Sequence, residues 1–101
     1  MTTTLKVDLQ EARKLISNFD NWTQNSYSSK GKYCAIGALF TVCSDNYLSP
    51  TILDGMHLLD REAEKLFGFY SILALNDDKT VHQTQAHKNV LEVFDSVIAK
   101  L

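Results

Sequence analysis

Residues 33–43 read Tyr-Cys-Ala-Ile-Gly-Ala-Leu-Phe-Thr-Val-Cys, an uncharged run in a chain whose other segments mix polar and apolar side chains. As a helix the run is apolar on every side, and such a helix is enclosed in a core or a membrane. A run of this length rises only about 16 Å, roughly half the hydrocarbon core of a bilayer, so it does not span. A buried strand is the other reading, because period alone does not separate the two over so short a stretch. Ala35, Gly37 and Ala38 favour the helix, alanine being the best helix former and small side chains admitting close neighbours. Gly37 costs up to about 1 kcal/mol relative to alanine inside a helix, so another element is expected to pack directly on it.

The segments around this run supply its covering. Residues 1–6 read as a frayed start. Asp8 with Glu11 three positions later resembles an N-cap pair, and Leu9, Ala12, Ile16 and Phe19 follow at helical spacing, giving a first helix over 8–19. Residues 20–32 form a polar loop rich in Asn, Ser and Gly, long for a connection in a small domain and carrying Trp22 and Tyr27. Either aromatic is a candidate anchor that folds the loop back onto the core, and for Trp22 that reading is favoured over a ligand platform. The central helix is placed at 32–43. Ser44, Asp45 and Asn46 would end it. Ser49 and Pro50 open the next helix as N-cap and first helical residue. Ile52, Met56, Leu59, Ala63 and Leu66 recur at helical spacing through 50–67, with Leu53 and Phe67 on the same broad face. Asp54, Asp60, Arg61, Glu62, Glu64 and Lys65 take the opposite, solvated face. Gly55 is a weak point in this helix, and Gly68 stops it.

Residues 69–75 form a second apolar run. With no partner strand elsewhere, a strand here would leave its ladder unpaired, so a short helix is expected. Asn76, Asp77 and Asp78 form a turn. Thr80 and Gln83 resemble a capping box for a last helix that reaches residue 100, with Ala86, Val90, Val93 and Val97 on its apolar face. The predicted fold is all-α: a single domain over 1–101, a bundle of four to five helices around a buried central helix.

Composition closes off several function classes. The chain has 101 residues, 45% hydrophobic and 22% charged, with a formal net charge of −2. Such a domain sustains a core without disulfides or metals. No basic stripe is present, so nucleic acid is a poor default partner. No apolar run follows a basic start, and none is long enough to cross a membrane. Cys34 and Cys43 would lie on opposite faces of one helix, about 13 Å apart along its axis, too far to bridge. Two reduced thiols fit a cytoplasmic setting.

Cys34 is the sharpest chemical candidate. It would open a helix beside Lys32, and a helix N-terminus with a nearby cation lowers a thiol pKa. With His87 or His82 as base and Asn76 or Asp77 to orient it, the set would make a cysteine-dependent hydrolase. Enzymes of that layout place the histidine on a sheet, and none is expected here. Free cysteine also behaves as a small buried hydrophobe. Packing is therefore the reading carried forward for Cys34. His82 and His87 are five apart, about 140° around a helix, so they do not share a metal-binding face. His57 lies between Met56 and Leu58 and reads as a partly buried core histidine. Asn76, Asp77 and Asp78 lack the further oxygens of a calcium loop and read as turn residues. The glycines never cluster into a phosphate loop. No cofactor is expected.

Trp22, the Ser/Gly loop, Cys34-Ala35-Ile36-Gly37-Ala38-Leu39, Asn76-Asp77 and the later Val90, Val93, Phe94 and Asp95 together resemble a group of small uncharacterised bacterial and phage proteins. Their pattern is a tryptophan, a Cys-Ala-x-Gly-Ala-Leu helix and a Trp-Asn-Asp turn before the last helix. The resemblance runs from Leu9 to Ile98. Leu75 stands where that group usually has tryptophan. The resemblance brings no activity with it. A phage or mobile-element origin would imply an inhibitor directed at a host protein, by association alone. The expectation is a small binding or interaction protein without turnover, contacting a protein partner through Trp22, Tyr27, Tyr47 and the acidic residues Asp60 and Glu64, or holding a small ligand between loop and core. An acidic face suits a basic partner surface. Homo-oligomer formation stays open.

Overall fold

Leu9 and Ala12, on one side of the first helix, and Ile16, just past its end, are fully buried. The structure, a computed structural model, describes residues 4–43 and 50–101. Helix α1 covers Thr4–Leu15. It begins before the expected cap, so Asp8 lies inside it, where its carboxylate accepts from the Cys43 thiol at 3.6 Å. It also ends early. Phe19 belongs instead to a short 3-10 turn, Phe19–Asn21, capped by the Asn18 side chain, which accepts from the Asp20 N–H at 2.9 Å.

The segment expected as a polar loop contains paired backbone. Strands β1 (Ser28–Ser29) and β2 (Lys32–Tyr33) form an antiparallel hairpin with Ser29 opposite Lys32. Lys30 and Gly31 form its two-residue turn, with φ of 50° and 81°. Positive φ at both central positions is what the right-handed twist of a tight hairpin requires. Trp22 makes an isolated parallel bridge to Tyr33. The first two residues assigned from sequence to the central helix are thus a strand.

Helix α2 covers Ala35–Val42 and is buried over Ala35–Leu39, as its uncharged sequence requires. The enclosure does not extend to its last turn, where Phe40 is 40% exposed. Helix α3 (Pro50–Phe67) begins at the expected proline and ends before Gly68, whose φ is +76°. The Gly68 N–H donates to the Glu64 carbonyl at 2.9 Å, a left-handed C-terminal cap. Gly55 is a site of close packing: a Cβ there would lie 3.0 Å from Leu39 Cδ2. Leu53 and Leu66, read as core, are exposed, and so is His57.

The short helix expected over 69–75 is α4 (Ile72–Asn76): Phe69, Tyr70 and Ser71 lie outside it, and Asn76, read as a turn residue, ends it. Ser71 Oγ accepts from Ala74 N–H at 3.1 Å, and Asp60 Oδ1 accepts from Ile72 N–H at 2.8 Å, so two donors of its first turn are satisfied. Helix α5 (Gln83–Ala99) is capped by His82 and not by Thr80. Thr80 is held by Asp78 Oδ1, which accepts from both its N–H and its hydroxyl. Glu62, expected on a solvated face, is buried and accepts from Ser96 Oγ and Lys100 Nζ. Helix α2 packs against α1, α3 and α4, and α5 closes over α1, α3 and α4. Among the described residues the fold is five α-helices, α2 the buried one among them, with one small hairpin: the small, mostly helical domain expected. Ser44, Asp45, Asn46, Tyr47 and Ser49 lie outside the described residues.

Candidate functional site

The polar residues that the sequence singled out converge beneath the 20–34 segment. Asn76, at the end of α4, is fully buried. Its Oδ1 accepts from Trp22 Nε1–H at 2.7 Å and from Ala35 N–H at 3.0 Å. Its Nδ2 donates to the Thr23 carbonyl at 3.1 Å and to Asp77 Oδ1 at 3.0 Å. All four bonds available to an amide are made. The Ala35 N–H belongs to the first turn of α2, where the helix itself offers no acceptor. A side chain from another helix therefore caps α2. Cys34 caps it as well, its Sγ accepting from Gly37 N–H at 3.3 Å.

More bonds staple the segment down. Gln24 Nε2–H donates to the Asn76 and Asp78 carbonyls, and Asn25 N–H donates to Asp77 Oδ1 at 2.9 Å. The Tyr27 carbonyl accepts from Cys34 N–H at 3.3 Å. That carbonyl lies so near α2 that a Cβ on residue 37 would stand 1.8 Å from it. The element expected to pack on Gly37 is thus the backbone of Tyr27.

Trp22 is 4% exposed, and its ring packs against His87, with centroids 5.2 Å apart. It anchors the segment to the core and offers a partner little surface. His87 Nε2 lies 2.7 Å from the Ile16 carbonyl, which only accepts, so that nitrogen carries the proton. The three residues of the hydrolase reading are therefore engaged elsewhere: Cys34 on Gly37, His87 on Ile16 and Asn76 in its four bonds. Among the described residues no hydrogen bond joins a histidine to Cys34.

Burial pushes the Cys34 thiol up, and the nearby Asp77 charge adds to this, against lowering by the Gly37 and Ile36 N–H groups. The lowering expected from a helix N-terminus is outweighed by desolvation. Cys43 is pushed up to about 11 by burial and by Asp8. Both thiols are free. Among the described residues no group of His, Cys, Asp and Glu would hold a metal ion, and no helix is long and apolar enough to cross a membrane.

The outer surface of the stapled segment is different. Tyr27 is 55% exposed, and its ring meets Phe40 edge to face, with centroids 5.9 Å apart. Beside them Asn25, Ser26, Tyr27, Leu73 and Asp77 line a depression of about 150 Å³. A wider groove of about 410 Å³ runs beside α1 and α5, lined by Arg13, Lys88, Glu92 and Asp95 among others. Its lining mixes charges of both signs, and the Arg13–Asp95 ion pair lies within it. Of the other sequence candidates, Glu64 is exposed, Asp60 is committed to α4, and Tyr47 lies outside the described residues. Sequence reasoning did not place Phe40, Leu73 and Asp77 together beside Tyr27 on this surface. A run apolar on all sides gives no sign of which turn emerges, and Thr41, its one hydroxyl besides that of Tyr33, was the only hint.

The model of a family of unknown function (DUF6197) matches residues 1–100, and the chain belongs to that family. No curated protein and no solved structure matches the chain.

Proposed function

For this member of the family we propose a small interaction protein that acts by contact, without turnover, through the surface around Tyr27 and Phe40. One observation carries the reading. An aromatic side chain, Tyr27, stands exposed on a segment whose backbone is tied down by the bonds from Cys34 N–H to the Tyr27 carbonyl and from Asn25 N–H to Asp77 Oδ1. Anchors ordered before binding lose little entropy on docking, and exposed aromatic groups dominate the energetics of interfaces. The amide of Asn76 has no bond left for a substrate, which favours a presenting role for the buried cluster over a catalytic one. A host protein inhibited by occlusion is the form of this role that fits the resemblance to phage and bacterial proteins.

The test is a photoreactive benzophenone side chain placed at Phe40 in the chain's native cells. The expected result is one discrete covalent adduct with another protein, lost when Tyr27→Ala is added. The same probe at Lys88, on α5, should give no such adduct. No adduct at Phe40, or the same adducts at both positions, would sink the proposal. An adduct of twice the chain's mass would reject a foreign partner and assign the surface to self-association.

A further inference from the structure

We infer that the depression beside Tyr27 receives an arginine side chain presented by the protein partner; the inference rests on the contact surface proposed above and names what it recognises. The lining supplies the argument. Tyr27 and Leu73 give an aromatic and an aliphatic wall, and Asp77, Asn25 and Ser26 give oxygens. Among the described residues no basic side chain lines the depression. Asp77 spends only Oδ1 on the fold, accepting from Asn25 N–H and Asn76 Nδ2, and its Oδ2 takes no bond among the described residues. Ser26 Oγ donates to the Ser28 carbonyl and keeps its lone pairs. The site is rich in acceptors, bears a negative charge and holds a ring.

A guanidinium meets each of these features at once. Its planar face stacks on an aromatic ring, its donors fork onto a carboxylate, and it is weakly hydrated for a cation. The methylene stem lies along apolar surface while the head reaches the acceptors. A lysine ammonium is a strongly hydrated point charge and gains less from the ring and the fork. The bonds to Asp77 Oδ1 hold the carboxylate in place, so its orientation is set before the ligand arrives.

The probe is the blocked tripeptide acetyl-Gly-Arg-Gly-amide, titrated into the isotopically labelled chain and followed by amide chemical shifts. Saturable shifts confined to residues 25–28, 73 and 77 are expected. The citrulline analogue, which has the shape without the charge, should produce none. Asp77→Asn keeps the Oδ1 acceptor and should weaken binding about tenfold. Tyr27→Leu keeps an apolar wall and the backbone carbonyl, and should weaken it by a similar factor. Absent shifts, equal shifts with citrulline, or shifts centred on Glu92 and Asp95 would overturn the inference. Tighter binding of the lysine tripeptide would overturn the choice of arginine. Shifts that grow with protein concentration alone would give the depression to a second copy and overturn a foreign occupant. If the benzophenone adduct forms while the tripeptide fails, the arginine inference falls and the contact surface stands. The reverse pair of results leaves an arginine site and removes the protein interface.

Discussion

Trp22 and Asn76 stand 54 positions apart in sequence, and the indole N–H of one donates to the side-chain oxygen of the other at 2.7 Å inside the core. This bond ties the hairpin segment to the end of α4. Because the same oxygen also receives the Ala35 N–H, it ties both to the start of α2. One acceptor on α4 therefore holds both Trp22 and Ala35, which lie 54 and 41 positions before it.

Asn76→Ala tests that convergence. It strands two buried donors, each costing about 1–3 kcal/mol when left unpaired, so a loss of about 3 kcal/mol or more is expected in urea unfolding. Trp22→Phe removes one donor and keeps an aromatic ring, and should cost less. In a double-mutant cycle the two changes should couple strongly, since residues in one hydrogen-bond network do not add. A loss under about 1 kcal/mol for Asn76→Ala would show that water replaces the amide.

Gly37→Ala places a methyl where the Tyr27 carbonyl lies, and that carbonyl is backbone, so the segment must lift. Overpacking of this kind typically costs about 1–3 kcal/mol. The lift should also weaken the bond from Cys34 N–H to the Tyr27 carbonyl, so hydrogen exchange at the Cys34 amide should accelerate beyond the global loss of stability. Unchanged exchange there would place the strain elsewhere.

These two residues mark how far the sequence could be read. The all-round apolar run announces an enclosed helix, and periodicity places α3 and the long last helix, because burial of one face writes itself into residue spacing. The hairpin left no such trace. Its strands are two residues each, too short to show a period of two, and its turn is Lys30-Gly31 where Asn-Gly is the stronger signal. The cap on α2 was equally silent: the Asn76 acceptor lies 41 positions from Ala35, and a cysteine is an uncommon N-cap. Gly37 was legible as a point of close approach, but the approaching element was not.

Native-state alkylation follows from the thiol environments. Burial raises both thiols above their ordinary value, Cys43 to about 11 with help from Asp8. At neutral pH little thiolate forms, and iodoacetamide should label neither cysteine until the chain is unfolded in urea. Asp8→Asn removes the carboxylate beside Cys43 and should increase its labelling rate while leaving that of Cys34 unchanged. Rapid native labelling of Cys34 at pH 7, read by mass spectrometry, would reopen the hydrolase reading.

Glu62 sets an acid dependence where α3 meets the end of α5. The Lys100 ammonium, and next the Ser96 hydroxyl, hold its carboxyl below the ordinary 4.5, outweighing the burial that would raise it. A carboxyl with a lower pKa in the folded state contributes stability above its unfolded pKa, and the contribution fades as pH falls through the folded one. The unfolding free energy of the native chain should therefore fall below about pH 4.5 more steeply than that of Glu62→Gln, which has no proton to take up at that position. The two curves should run parallel from pH 6 to 8, and the gap between them should close in acid. Lys100→Met should also flatten the native curve, because it removes the cation that depresses the carboxyl. If Glu62→Gln leaves the acid limb unchanged, the carboxyl titrates alike in the folded and unfolded chain, and the contact with Lys100 contributes nothing to the dependence.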